Sequence, residues 1–117
     1  MSVEVKVSQN FKKEAKSFIK KFPSFLNDLL LLNNELMDNP LLGTSLGNNT
    51  YKIRLRIKSK GKGKSGGARI ITFVEHEIII EKSVENEHTT VNLLTIYDKS
   101  DRVSISDKEI DGLIKDL

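Results

Sequence analysis

Residues Tyr51 to Lys58 alternate without a break: Tyr51, Ile53, Leu55 and Ile57 on one side, Lys52, Arg54, Arg56 and Lys58 on the other. A β-strand places every second side chain on one face. The segment therefore predicts a strand with one apolar face to bury and one cationic face to expose. Such a strand needs neighbours to bond its backbone and a layer to cover its apolar side, and the rest of the chain must supply both.

Neighbours are legible on either side. Ala68 to about Val74, Ile78 to Ile80, and Val91 to Tyr97 have strand character, and Ser2 to Val7 alternates more weakly as a short N-terminal strand. Between Glu75 and Thr90 two readings compete. A turn at Glu75–Glu77 would make two short strands; a turn near Val84–Glu87 would make one long hairpin. The polar, turn-like run from Ser83 to Glu87 favours the long hairpin. Leu41 to Asn49, with two Gly and two Asn, reads as a loop.

Helices supply the covering layer. Phe11, Ala15, Phe18, Ile19 and Phe22 recur at helical spacing, with Lys12, Lys13, Lys16, Lys20 and Lys21 opposite, until Pro23 stops the pattern. A second helix is expected from Ser24, a plausible N-cap, to about Met37. Leu29 to Leu32 and Leu36 suggest that it is deeply buried, and Asp38-Asn39-Pro40 ends it. Near the C-terminus, Ser106 and Glu109 have capping-box spacing. Ile110, Leu113, Ile114 and Leu117 follow as an apolar stripe. The expected fold is α+β: an N-terminal strand and a two-helix hairpin packed on a mainly antiparallel sheet of three to five strands, with a short C-terminal helix. At 117 residues this is a single domain, residues 1–117.

Composition narrows the chemistry. There is no Cys, and the only His residues are His76 and His88. That excludes a disulfide scaffold, thiolate zinc sites, a Cys nucleophile and a His-rich metal cage. No apolar run approaches the roughly 18 residues of a membrane span. Met1–Asn10 lacks the apolar core of a signal peptide. A soluble cytoplasmic domain with no membrane partner is the expectation.

The net charge of +3 conceals an asymmetry. Tyr51 to Arg69 carries eight basic residues and no acid: Lys52, Arg54, Arg56, Lys58, Lys60, Lys62, Lys64 and Arg69. From Ile70 onward acids dominate. A solvated strand face would usually mix both signs, so the basic segment points to a phosphate-bearing partner, RNA or DNA. Gly61 to Gly67 superficially resembles a P-loop, but Lys58 stands where that motif needs its first Gly, and no helix pattern follows. The acids Glu75, Glu77, Glu81, Glu85 and Glu87 read as a solvated hairpin without calcium-loop spacing.

Three blocks then occur in order: Tyr51-Lys52-Ile53-Arg54, Gly63-Lys64-Ser65-Gly66-Gly67-Ala68-Arg69, and Leu93-Leu94-Thr95-Ile96-Tyr97-Asp98-Lys99, followed by the capped helix. Together they resemble the RelE/ParE toxin superfamily, most closely its HigB-type branch. The likeness is strong over residues 51–117 and weak over 1–49. It implies a RelE-like fold and a bacterial toxin of a type II toxin–antitoxin system, neutralised by a cognate antitoxin protein. Operator DNA is a candidate partner of the toxin–antitoxin complex. Relatives of this kind cleave mRNA in the ribosomal A site without metal or cofactor, the 2′-hydroxyl attacking the neighbouring phosphate.

The resemblance assigns candidate roles. Arg54 and Arg69 would stabilise developing phosphate charge, since arginine stays charged and grips phosphate bidentately. Lys52, beside Arg54, is the candidate base; Lys99 would assist the leaving group, and Tyr97 would stack on a base or order the site. Arg56, Lys58, Lys62 and Lys64 would contact RNA backbone. One departure stands out: some relatives use a Tyr near the C-terminus, and Val103 to Leu117 has none. Two alternatives remain: a ParE-like DNA gyrase poison, and a non-catalytic nucleic-acid-binding domain.

Overall fold

The computed structural model describes residues 2–60, 67–81 and 84–117. Five strands form one sheet in the order β1-β5-β4-β3-β2: β1 (Ser2–Val7), β2 (Thr44–Gly47), β3 (Thr50–Leu55), β4 (Ala68–Glu81) and β5 (Val84–Asp98). β1 runs parallel to β5, and every other pair is antiparallel. Helices α1 (Gln9–Lys21) and α2 (Phe25–Asp38) follow β1, and α3 (Asp107–Lys115) closes the chain. The architecture is the α+β arrangement expected. No described helix is long and apolar enough to cross a membrane.

The core lies between the helical hairpin and one sheet face. Phe11, Ala15 and Phe18 of α1 and Phe25, Leu32 and Leu36 of α2 pack on Ile53, Leu55, Ile70, Val74, Val91 and Ile96. On the opposite face Ile71, Leu94 and Tyr97 form a smaller cluster under Ile110 of α3. The helix stripe over-reached at its edges, since Ile19 and Leu117 are exposed. Nor is α2 deeply buried: Leu26, Leu30, Leu31 and Met37 face outward, because a helix lying on a sheet can bury only one side.

The expected loop at 41–49 contains a strand. β2 pairs with β3 through a turn at Asn48 and Asn49, both with positive φ (51° and 62°). Two left-handed residues in succession are the backbone of a type I′ hairpin turn, whose twist matches that of the flanking strands. The expected strand Tyr51–Lys58 stops at Leu55, and Lys58–Lys60 form a 3-10 turn instead. Buried Asp28 on α2 draws the chain off the sheet here: its Oδ2 accepts from Lys58 N (3.2 Å) and Ser24 Oγ (2.6 Å). Ser59 N donates to Ser24 Oγ (2.8 Å). The Ser24 side chain therefore makes no cap bond to a backbone N–H of its own helix.

β4 and β5 form the long hairpin, but Val84–Glu87, expected at its turn, lies within β5 and pairs with β4. Near the other end of β5, β1 stops at Val7↔Leu93, leaving Leu94 to Tyr97 with an open edge. α1 closes it with side chains. Asn10 Nδ2 donates to Leu94 O (3.0 Å), while Ile96 N (3.2 Å) and Thr95 Oγ1 (2.6 Å) donate to Glu14 Oε1.

Candidate functional site

Strand register sets the site. Arg54 on β3 lies opposite Arg69 on β4, and Arg69 lies opposite Tyr97 on β5. The flanking residues Ile53, Leu55, Ala68, Ile70 and Ile96 belong to the helix-side core, so alternation places Arg54, Arg69 and Tyr97 on the other face. The three stand abreast, about 4.8 Å between strands. Lys52 shares that face two residues from Arg54, about 6.6 Å along the strand.

Depth varies along the row. Arg54 is exposed, Arg69 is 6% exposed and Tyr97 7%. Arg69 Nη1 donates to Ala68 O at 3.3 Å. The Tyr97 hydroxyl is buried and meets no hydrogen-bond partner among the described residues. Burial pushes the Tyr97 phenol above its ordinary pKa, and the nearby charges of Arg102 and Arg69 pull it partly back.

Arg102 escaped the sequence reading. Its guanidinium lies 5.5 Å from the Tyr97 ring centroid, within cation–π range. Arg102 Nη2 donates to both carboxylate oxygens of Glu109 (2.9 and 3.1 Å), and Nε donates to Ser104 O (3.0 Å). Glu109 is also the N3 residue of the α3 capping box. The hydrogen bond from Arg102, with that from Ser106 N, holds Glu109 below the usual carboxylate range. A lone cation just ahead of an S-x-x-E motif was the available signal.

The other candidates are placed unequally. Lys52 is half-buried, and Lys99 is exposed in the turn after β5 rather than in the row. Lys99 N reaches Gly67 O at 3.5 Å, so that turn lies beside the start of β4. Gly67 has φ 72°, and a Cβ there would sit 2.5 Å from Leu55 O, so the close approach of β3 to this point requires Gly. Arg56 and Lys58, off the strand, line a cleft of about 350 Å³ between α2 and β3 together with Arg54, Asp28 and Glu35. Lys62 and Lys64 lie outside the described residues.

Lys60 is engaged within the fold: its Nζ pairs with Asp98 Oδ1 at 2.7 Å and lies 5.9 Å from the Phe22 ring centroid. Burial pushes Asp98 upward, but the bonds from Lys60 and from Ser100 N and Oγ outweigh it, so its pKa is lowered. His88 links β5 to β1 through Ser2 and Glu4, and His76 contacts Thr89. Among the described residues no three His, Asp or Glu side chains come together as a metal would require.

Chemically, this surface offers cations at two depths beside a phenol. An exposed Arg and a half-buried Lys can meet a phosphate; a buried Arg and Tyr stand behind them. No known protein-family model matches the chain.

Proposed function

We propose that this protein is a type II toxin of the RelE/HigB kind, a ribosome-dependent mRNA endonuclease acting in the cytoplasm and held in check by an antitoxin. The observation that carries the reading is the row Arg54–Arg69–Tyr97 on the sheet face opposite the helical hairpin, with Lys52 one step away. Cleavage by the RNA 2′-hydroxyl needs a base, compensation of charge on the phosphorane, and a proton for the 5′ oxygen. Arg54 faces solvent and grips the phosphate. Lys52 takes the 2′-hydroxyl proton. Arg69, being buried, supports the row from behind and adds positive potential rather than a full bidentate grip. Tyr97, buried with Arg102 over its ring, orders the row from beneath. Lys99, on the adjoining turn, serves the leaving oxygen. Arg56 and Lys58 guide the RNA backbone along the neighbouring cleft.

Expression without antitoxin should stop growth, and primer extension should reveal cuts within translated codons. Arg54→Ala should abolish cutting while the protein stays folded. Growth arrest with intact mRNA would overturn the endonuclease, and a DNA-damage response alongside it would favour gyrase poisoning. The burial of Arg69 favours one second reading, a non-catalytic RNA-binding domain. Salt-sensitive RNA binding without growth arrest would point there.

A further inference from the structure

The outer edge of β4 is used only in part. β3 pairs with Ala68 to Phe73, and Asn49 O accepts from Val74 N; beyond this, no described residue pairs with that edge from Glu75 to Glu81. On the other side β1 reaches, among the described residues, to Ser2↔His88, and past Glu77↔His88 those residues form a two-stranded arm. The arm carries Ile78 at 63% exposed, Ile79 at 41% and Ile80 at 76%. An unpaired edge with exposed β-branched residues is a template for another strand.

The two faces of this edge differ. By alternation His76, Ile78 and Ile80 continue the helix-side face of Val74, while Glu75, Glu77 and Ile79 continue the face of Arg69 and Ile71. A strand added here would meet apolar groups on one face and carboxylates on the other. Charge selects the occupant. Between Ile70 and Asp98 the only Lys or Arg is Lys82, against five Glu, which repels nucleic acid and anionic membrane surfaces. The molecule already contains a strand of the complementary kind: β3 sets Ile53 beside Ile70 and Lys52 and Arg54 on the opposite face, along the preceding stretch of the same edge.

We propose that Glu75–Ile80 of β4 is a strand-addition site for an extended segment of a partner protein that alternates apolar and basic residues. Main-chain hydrogen bonds would provide affinity, and the period-two pattern would provide selectivity. Apolar side chains of the segment would pack beside Ile78 and Ile80, and its Lys or Arg would face Glu75 and Glu77. The site is separate from the cationic row and does not depend on the proposed nuclease activity.

The test uses the full chain and a fluorescein-labelled nine-residue peptide alternating Val and Lys, with a Val/Glu peptide as control. Anisotropy should show saturable binding of Val/Lys alone, and hydrogen exchange should slow at amides of Glu75 to Ile80. Ile78→Lys with Ile80→Lys, both at exposed positions, should leave the melting temperature unchanged and remove binding. Glu77→Lys should weaken Val/Lys binding about tenfold and raise that of Val/Glu. Absence of binding, equal binding of both peptides, or protection at β1 or β2 instead would overturn the proposal. So would sedimentation showing a dimer that the double Ile variant dissociates, which would make a second copy the occupant.

Discussion

Two buried hydroxyls, Thr72 Oγ1 and Tyr97 OH, meet no hydrogen-bond partner among the described residues. A buried polar group left unpaired costs about 1–3 kcal/mol. Thr72→Val, at a fully buried position, is therefore expected to stabilise the fold by about 1 kcal/mol, read from denaturant midpoints at constant slope. Tyr97→Phe should gain a similar amount, but if the phenol serves the site it should also lose cutting activity, which Thr72→Val should not. Tyr97 carries a pH signature too. Its folded pKa is raised, chiefly by burial. The stability this confers is fully present below the unfolded value near pH 10 and is lost as pH rises through the folded value. Urea titrations above that pH should show wild type weakening more than the Phe variant. Glu14 is the converse case, an acceptor of three bonds from Asn10, Thr95 and Ile96 N. Glu14→Ala leaves the Thr95 hydroxyl and Ile96 N–H unpaired at the open edge of β5, and should cost about 2 kcal/mol in the same assay.

At the scale of elements, α3 is fastened to the candidate site through one carboxylate. Glu109 both completes the capping box and binds Arg102, which lies over Tyr97. Glu109→Ala should lower the denaturant midpoint and also release Arg102, whereas Ser106→Ala removes only the cap. If Arg102 contributes to RNA binding, the first variant should weaken binding and the second should not; equal effects on affinity would remove Arg102 from the interface. The same elements indicate what a sequence can tell. α1, α3 and the interior of the long hairpin were legible because period and capping chemistry are local. β2 was not, because its signal was a pair of left-handed Asn rather than an apolar pattern. The end of β3 was not, because Asp28, thirty residues earlier, bends the chain there. Alternation correctly placed Lys52 and Arg54, yet the depth of Arg69 and Tyr97 follows from Arg69 lying between β3 and β5 and from Tyr97 lying in the cluster under α3, which no local pattern reports.

Across the whole molecule, length separates the acids of β4 from the cationic row. The principal extents are 52 × 30 × 23 Å, and the hairpin carries the acids of β4 away from the cationic row. Glu77 lies eight residues along β4 from Arg69, about 26 Å at strand rise, whereas screening at physiological salt acts over about 8 Å. The acidic arm should therefore leave the electrostatics of RNA binding untouched, despite a net charge of only +3. This gives a prediction that separates the cations by role. Single-stranded RNA affinity should fall with salt, and each lost phosphate contact should reduce the slope of log K against log salt by about 0.7. Arg54→Ala and Arg56→Ala should each reduce it by that amount, because both side chains are exposed. Lys60→Ala should not, because its charge is matched by Asp98 at 2.7 Å. Glu77→Lys should also leave the slope unchanged, being about three screening lengths away. Fluorescence titrations of an unstructured RNA from low to physiological salt measure all four. A slope that drops with Lys60→Ala but not with Arg54→Ala would move the RNA path off the sheet face of Arg54 toward the 3-10 turn.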